Sequence, residues 1–377
     1  MIKIFVTGDN HIGLKFNRFS EVSDKLIESR YESIKGMVRK AEEEECDIFV
    51  VTGDLFDRIN MTEKEVKRVV DILAEFNNDV LVLPGNHDYY TGEERVWNYF
   101  KKAVNNCENN IKLITEMKEF TVNIGSLTAV IYPALCQSKH STENNLGWIK
   151  DAEIDEEKFN IGIAHGTIEG VSPDMKNEYF CMGKNELYNI PVDVWLIGHA
   201  HIPYPELPVD KYETGHKIFN PGSHEQTDFS NKTEGCAFIV CLEKKDGEKR
   251  ASARKVITGN VRFYDIPLTV DHEAGLKKSI ENLIKDSDTI FITTPDSEIS
   301  VVWSEIKKLS IKDKLICHCS GSISSEIFSN INNHGAYGYS IHPMFAISDK
   351  YNSYKDLFSF NSFFKSSYVP TNNNFPL

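Results

Sequence analysis

Five short apolar runs in this sequence each lead into residues that bind metals well. Residues 2–6 run into Gly8-Asp9-Asn10-His11, residues 48–51 into Gly53-Asp54, and residues 80–83 into Gly85-Asn86-His87-Asp88. Residues 161–163 then lead to Ala164-His165-Gly166, and residues 194–197 to Gly198-His199-Ala200-His201. Carboxylate and amide oxygens mixed with imidazoles suit Mn2+, Fe or Zn2+ better than Mg2+ alone. Asp9, Asp54, Asn86 and up to five His from these motifs are about what two ions need. In two-metal phosphoester hydrolysis one carboxylate bridges ions ~3.5–4 Å apart, and both ions absorb charge in the transition state. Asp54 follows a glycine that lets the backbone come close, which makes it the natural bridge. Each motif alone has a plainer reading, since a Gly-Asp after a strand is ordinarily a capped turn and a loop His an ordinary hydrogen-bonding group. The argument for a metal site lies in their repetition, each after its own apolar run.

These residues need elements that bring them together. An apolar run of four to six β-prone residues reads as a buried strand, so the motifs fall at the carboxyl ends of strands. Residues 23–45 and 62–76 carry apolar positions at helical spacing between the first three runs. Strand, helix, strand, helix, strand predicts a parallel sheet covered by helices, and such sheets bind ligands beyond the carboxyl ends of their strands. Residues 111–114, 120–124 and 127–132 are short and close together, with Gly125-Ser126 as a hairpin turn, and predict an antiparallel second sheet. Residues 218–223 and 236–242 add strands, the latter ending at a charged turn over 243–249. The expected fold class is α/β, a two-layered β-sandwich flanked by helices over residues 1–260. A small C-terminal α/β domain follows over 261–357, with strands at 262–270, 289–293 and 315–319 and helices at 273–284 and 298–309. The Phe-, Ser- and Asn-rich stretch 358–377 has no period and is expected to be a disordered tail.

Composition limits the function classes. A chain of 377 residues with 41% hydrophobic residues can bury a full core. No stretch is long enough to span a membrane and no signal pattern opens the sequence, so the expected location is the cytoplasm, without membrane association. Eight cysteines lack paired spacing and read as reduced thiols. In Cys317-His318-Cys319, neighbours on a strand point to opposite faces and do not converge on an ion. The net charge of −14 argues against holding nucleic acid by bulk electrostatics. It still allows a nucleic-acid enzyme, because two divalent cations offset about four charges and a basic groove can be local.

Residues 1 to about 260 resemble the calcineurin-like metallophosphoesterases and, within them, the SbcD-type DNA repair exonucleases. All five motifs stand in the family's order. The narrower likeness rests on Gly8-Asp9-Asn10-His11-Ile12-Gly13, Gly53-Asp54-Leu55-Phe56-Asp57, Gly198-His199-Ala200-His201 and Asn220-Pro221-Gly222-Ser223. The resemblance implies one metal held by Asp9, His11, Asp54 and His201 and a second by Asp54, Asn86, His165 and His199, with Mn2+ as the expected ion. It also implies that His87 contacts the scissile phosphate and protonates the leaving oxygen, with Asp57 or Asp88 as orienting or capping groups. Asn17 and Arg18 match positions that contact DNA phosphates in this family. The implied activity is DNA hydrolysis, as an exonuclease with single-strand endonuclease activity in end processing and repair. The implied partners are DNA, an SbcC-type coiled-coil ATPase and a second copy of the chain.

Residues from about 286 carry a different likeness. Asp288-Thr289-Ile290-Phe291-Ile292-Thr293-Thr294-Pro295-Asp296, Cys317-His318-Cys319-Ser320-Gly321-Ser322 and Tyr339-Ser340-Ile341-His342-Pro343 resemble part of a Rossmann-type reductase-like family. No G-x-G-x-x-G follows a strand upstream, so the pyrophosphate cradle of that fold is missing, and a structural or vestigial cap is expected there. This segment also stands where SbcD-type nucleases would carry the helices that grip their ATPase. Two alternatives accompany the nuclease reading: a calcineurin-like phosphatase or phosphodiesterase acting on a small substrate, and an NADP-type nucleotide-binding module fused to a phosphoesterase.

Overall fold

A computed structural model describes residues 1–19, 22–106, 109–171, 178–229, 231, 233–263, 273–343 and 363–367. The chain divides into two compact units, Met1–Tyr264 and Asp265–Leu377.

In the first unit, β1 (Ile2–Thr7), α1 (Ser23–Glu43), β2 (Ile48–Thr52), α2 (Glu63–Leu73), β3 (Asp79–Leu83), α3 (Arg95–Asn105) and β4 (Ile111–Leu113) alternate along the chain. The helices form where apolar residues recur every three or four positions. On α2, Val66, Val69, Val70 and Leu73 are buried, and Thr62 with Glu65 closes a capping box at its start. On α1 the buried face comprises Leu26, Tyr31, Ile34, Met37, Val38 and Ala41, with one charged exception, Arg30.

The chain continues through β5 (Phe120–Ile124), β6 (Leu127–Ala134), α4 (Gly147–Lys150), β7 (Phe159–His165), α5 (Lys184–Asn189) and β8 (Val194–Gly198). It then forms β9 (Glu213–Thr214), β10 (Ile218–Phe219), β11 (Cys236–Lys245) and β12 (Glu248–Ile257). One sheet has the order β4-β3-β2-β1-β11-β12-β9 and the other β10-β8-β7-β6-β5. The inner faces of the two sheets meet in an apolar layer where Ile4, Val6, Val50 and Leu81 pack with Ile131, Ile161, Ile163 and Leu196. A second core lies on the helical side of the first sheet, with Phe5, Phe49 and Val82 against Ile34, Val69 and Trp97. Alternate residues of β1, β2 and β3 therefore serve the two cores, which explains why these strands read as continuous apolar runs.

The second sheet corrects one expectation. Residues 111–132 were expected to form an antiparallel second sheet, but only the β5–β6 hairpin does: β4 joins the first sheet parallel to β3, and β6, β7, β8 and β10 run parallel. The cause is connection length, because parallel neighbours need crossovers of a dozen or more residues. The connections 135–158 and 166–193 supply that length. Gly125 and Ser126 do form the two-residue turn between Ile124 and Leu127. The first sheet holds another difference: residues 243–249 are strand on both sides of a tight Asp246-Gly247 turn, because β11 and β12 pair from Cys236↔Ile257 to Lys245↔Glu248. Asp-Gly is a strong two-residue hairpin signal, and both residues take the positive φ this turn requires, 54° and 84°.

The second unit contains α6 (Glu273–Asp286), β13 (Thr289–Ile292), α7 (Asp296–Ile306), β14 (Leu315–His318), β15 (Tyr337–Pro343) and β16 (Phe363–Ser367). β13, β14 and β15 are parallel, with Ile290, Ile316, Trp303 and Phe328 in their core. His318 is buried, its ring engaged with the Ser320 amide and the Ser324 carbonyl. β16 falls in the stretch expected to be disordered and pairs antiparallel with β15, from Tyr339↔Ser367 to Pro343↔Phe363. A strand edge presents unpaired backbone groups that an extended segment can satisfy, whatever its side-chain period. The rest of 358–377, and most of the strand expected at 262–270, lie outside the described residues. No helix among the described residues is long and apolar enough to cross a membrane.

Candidate metal centre

The five motifs converge because the loops after β1 and β2 are bonded together along their backbones. Asp9 N–H donates to Gly53 O at 3.1 Å, His11 N–H to Asp54 O at 2.9 Å and Ile12 N–H to Leu55 O at 2.9 Å. Parallel pairing of β2 with β3 carries Asn86 and His87 to the same end, and pairing of His165 with Gly198 carries the other sheet's two motifs together. The glycines are fitted to this approach. A Cβ on Gly85 would overlap both the carboxylate and the backbone nitrogen of Asp54, and one on Gly53, at φ +102°, would strike the His165 ring. Asp9, His11, Asp54 and His199 themselves have φ of 49°, 43°, 52° and 104°. A non-glycine residue in that region costs ~1–3 kcal/mol and concentrates at functional sites.

Two half-sites result. In one, His11 Nε2 and His201 Nε2 face each other at 3.1 Å, with Asp9 Oδ1 3.8 Å from His201 Nε2. In the other, His165 Nε2 and His199 Nδ1 both meet Asn86 Oδ1, at 3.0 and 3.1 Å. Asp54 lies between them, its Oδ2 3.7 Å from His11 Nε2 and 3.4 Å from His165 Nε2. Asp9 also belongs to both, since its carboxylate groups with His11 and His201 on one side and with Asp54 and His165 on the other. Its two oxygens accept the His199 N–H at 3.1 and 2.8 Å.

The outer contacts orient these atoms inward. His165 Nδ1 sits 2.9 Å from Thr52 O, and because a carbonyl only accepts, Nδ1 carries the proton and Nε2 is left for the centre. The Asn86 amide nitrogen donates to Lys139 O at 3.3 Å, which turns Oδ1 toward the imidazoles. Tyr179 stacks on His199 with ring centroids 5.2 Å apart.

Charge in the cluster is tightly balanced. Burial raises Asp9 above the usual carboxylate range, against the pull of His165. Burial acts the same way on Asp54, but His165, His11 and His87 outweigh it and hold Asp54 well below that range. Burial opposes charge on His165, yet Asp54 and Asp9 raise it to about 9. Burial lowers His11, and burial with His165 lowers His199 to about 3, so both keep lone pairs available for coordination. Asp9 and Asp54 are at most 1% exposed, and neither meets a Lys or Arg at ion-pair distance among the described residues. Two buried carboxylates that converge with imidazole nitrogens and an amide oxygen, and have no Lys or Arg beside them, fit a pair of divalent ions.

The remaining candidates divide. His87 is half-buried at the edge of the cluster. Its N–H donates to Asp54 Oδ1 at 2.8 Å, its Nδ1 lies 3.1 Å from the Asp57 carbonyl, and its ring meets His11 edge-on at 4.8 Å. The Asp57 carboxylate lies not on His87 but 3.6 Å from His11 Nδ1. Asp88 caps the loop, accepting from Gly85 N at 2.7 Å and Phe56 N at 2.9 Å. Its burial beside Asp54 raises it to about 8. Asn17 and Arg18 are exposed on a short 3-10 turn, Asn17–Phe19, and form no part of the converging group. Sequence reasoning missed the grouping of His11 with Asp57 and His87, whose signal is the i, i+3 spacing of Asp54 and Asp57 after one strand. It also missed Tyr179, for which the sequence carries no signal.

A family model described as calcineurin-like phosphoesterase matches residues 2–203. Over 200 residues the chain is 28% identical to YhaO of Bacillus subtilis, an uncharacterised metallophosphoesterase, and the match covers 51% of this chain and 47% of that protein. The chain thus spans about half the length of this curated relative. Among solved structures, the calcineurin-like phosphoesterase YfkN from Bacillus subtilis is similar over 76% of this chain and 97% of its own, at 12% identity and a TM-score of 0.41. A dimetal phosphatase from Danio rerio is similar over 68% of this chain and 98% of its own, at 11% identity and a TM-score of 0.34.

Proposed function

The chain belongs to the calcineurin-like phosphoesterases, and from that premise we propose that it is a Mn2+-dependent phosphodiesterase that hydrolyses DNA, as an exonuclease with single-strand endonuclease activity. Asp9, His11, Asp54 and His201 would hold one ion and Asp54, Asn86, His165 and His199 the other. Such a pair, when bound, supplies Lewis-acid stabilisation of the phosphoryl group and an activated water.

The observation that carries the reading is the placement of His87. With Nδ1 bonded to the Asp57 carbonyl and its backbone held by Asp54, its ring is fixed beside His11 and Nε2 is the nitrogen left for substrate. As an imidazolium, His87 gives the Nε2 proton to the leaving oxygen and becomes the neutral tautomer protonated at Nδ1, which the carbonyl of Asp57 stabilises. His201, its side chain 41% exposed, stands at the solvent side of the cluster, where an extended substrate has access. The choice of DNA rests on the SbcD-type motifs around Asp9, Asp54, His199 and Asn220. Asn17 and Arg18 are assigned to DNA phosphates on the same ground.

Purified protein with Mn2+ is expected to degrade linear DNA, and Asp54→Ala and His87→Ser to abolish this. Cleavage that persists in both variants would overturn the assignment. A second reading, a phosphodiesterase of small substrates, draws support from the net charge of −14. Turnover of a chromogenic bis-ester with no turnover of DNA would select it.

A further inference from the structure

Arg30 is an unusual residue for a helix face that packs on a sheet. It is 2% exposed, and its guanidinium has no carboxylate at ion-pair distance among the described residues. Nε and Nη2 both donate to one acceptor, the carbonyl oxygen of Asn10, at 2.9 and 2.5 Å. Nη1 has no hydrogen-bond partner among the described residues. Burial brings the group down to about 10, so it remains a cation at neutral pH, with Glu225 and Asp57 as the nearest countercharges.

A buried charge with no direct ion pair costs several kcal/mol, and apolar residues of similar volume often stabilise a core as well or better. Fold stability alone is therefore a weak reason for an arginine at this position. The acceptor suggests a better one. Asn10 lies between Asp9 and His11, and both of these are held at left-handed φ. Such a stretch persists only where its surroundings over-determine it. The Asp9 and His11 amides are tied to the Gly53 and Asp54 carbonyls, and the Asn10 side chain is tied to Thr7 Oγ1 at 3.1 Å. The Asn10 side-chain oxygen has no hydrogen-bond partner among the described residues, whereas the Asn10 carbonyl is taken by Arg30 with two donors.

We propose that Arg30 is a positioning residue for the metal centre: its two-donor grip on the Asn10 carbonyl sets the bend that aims Asp9 and His11 at one ion. The proposal rests on the two-metal reading. The effect should be unequal, because His11 serves one half-site, Asp9 is also held from the other side by the His199 N–H, and Arg30 makes no hydrogen bond to Asn86, His165 or His199, so its loss should weaken one half-site more than the other.

The test is a Co2+ titration of wild-type protein, Arg30→Met and Arg30→Lys, read by equilibrium dialysis and by the visible d–d spectrum. Wild type is expected to bind two ions. In Arg30→Met one class should weaken about tenfold or more with a changed spectrum while the other stays within about twofold, in line with the usual effect of removing an outer-shell partner. Arg30→Lys, which can offer one donor, should fall between the two. Wild-type affinity and spectrum in both variants would overturn the proposal, as would equal weakening of both classes, which is the signature of general loosening. If Arg30→Met does not fold, Arg30→Lys decides alone: selective weakening supports the proposal and unchanged binding overturns it. Absence of stoichiometric Co2+ in wild type would overturn the two-metal reading itself, and the proposal with it.

Discussion

His11 and His201 stand 190 residues apart in the sequence, yet their Nε2 atoms face each other at 3.1 Å beside the Asp9 carboxylate. Two neutral imidazoles can share one N–H···N hydrogen bond in such an approach, whereas a divalent ion turns both lone pairs into bonds. His201→Ala is therefore expected to weaken one of two bound ions at least tenfold, with the fold intact because His201 is partly exposed. Equilibrium dialysis with Mn2+, alongside circular dichroism, measures both.

Gly85 offers a test that removes no ligand side chain. Its added Cβ in Gly85→Ala meets the Asp54 nitrogen and carboxylate, so the β3 loop or Asp54 has to move. The expected result is a stability loss of ~1–3 kcal/mol, typical of overpacking, together with an activity loss larger than that loss of folded protein explains. Urea denaturation and bis-ester turnover on one preparation separate these effects.

Away from the centre, Glu44 links α1 to β12, with Lys40 Nζ at 2.9 Å and Arg254 Nη2 at 2.8 Å. Lys40 and then Arg254 hold the Glu44 carboxyl below its ordinary value, against a smaller effect of burial. A depressed carboxylate stabilises the fold above its unfolded pKa, and that contribution is lost as pH falls through the folded value. Glu44→Gln should lower stability by ~0.5–1 kcal/mol at pH 7, and its deficit relative to wild type should shrink on acidification below about pH 4.5. Thermal unfolding from pH 3 to 7 checks the sign.

Much of the site was legible because strand-end chemistry is local. An apolar run followed by Gly-Asp or Gly-His fixes both where the side chain emerges and how closely the backbone can pass, which is why Asp9, Asp54, Asn86, His165 and His199 converge from five separate stretches. Pairing partners were less legible. The second sheet is mostly parallel because crossover length, not strand composition, sets direction. β12 was hidden by its charges, since Glu248, Lys249, Arg250, Arg254 and Lys255 make up half of a strand only partly buried. Contacts outside the strand-end motifs were less legible still. Nothing in the chain marks Arg30 as reaching the Asn10 carbonyl, and the i, i+3 spacing of Asp54 and Asp57 does not say that the Asp57 carboxylate meets His11 while its carbonyl takes His87.

One cluster is expected to hold two ions with Asp54 between them. Anomalous diffraction from a Mn2+-soaked crystal addresses it directly. Two peaks ~3.5–4 Å apart are expected, one among Asp9, His11 and His201, the other among Asn86, His165 and His199, with Asp54 touching both. A single peak, or two that do not share Asp54, would contradict the account.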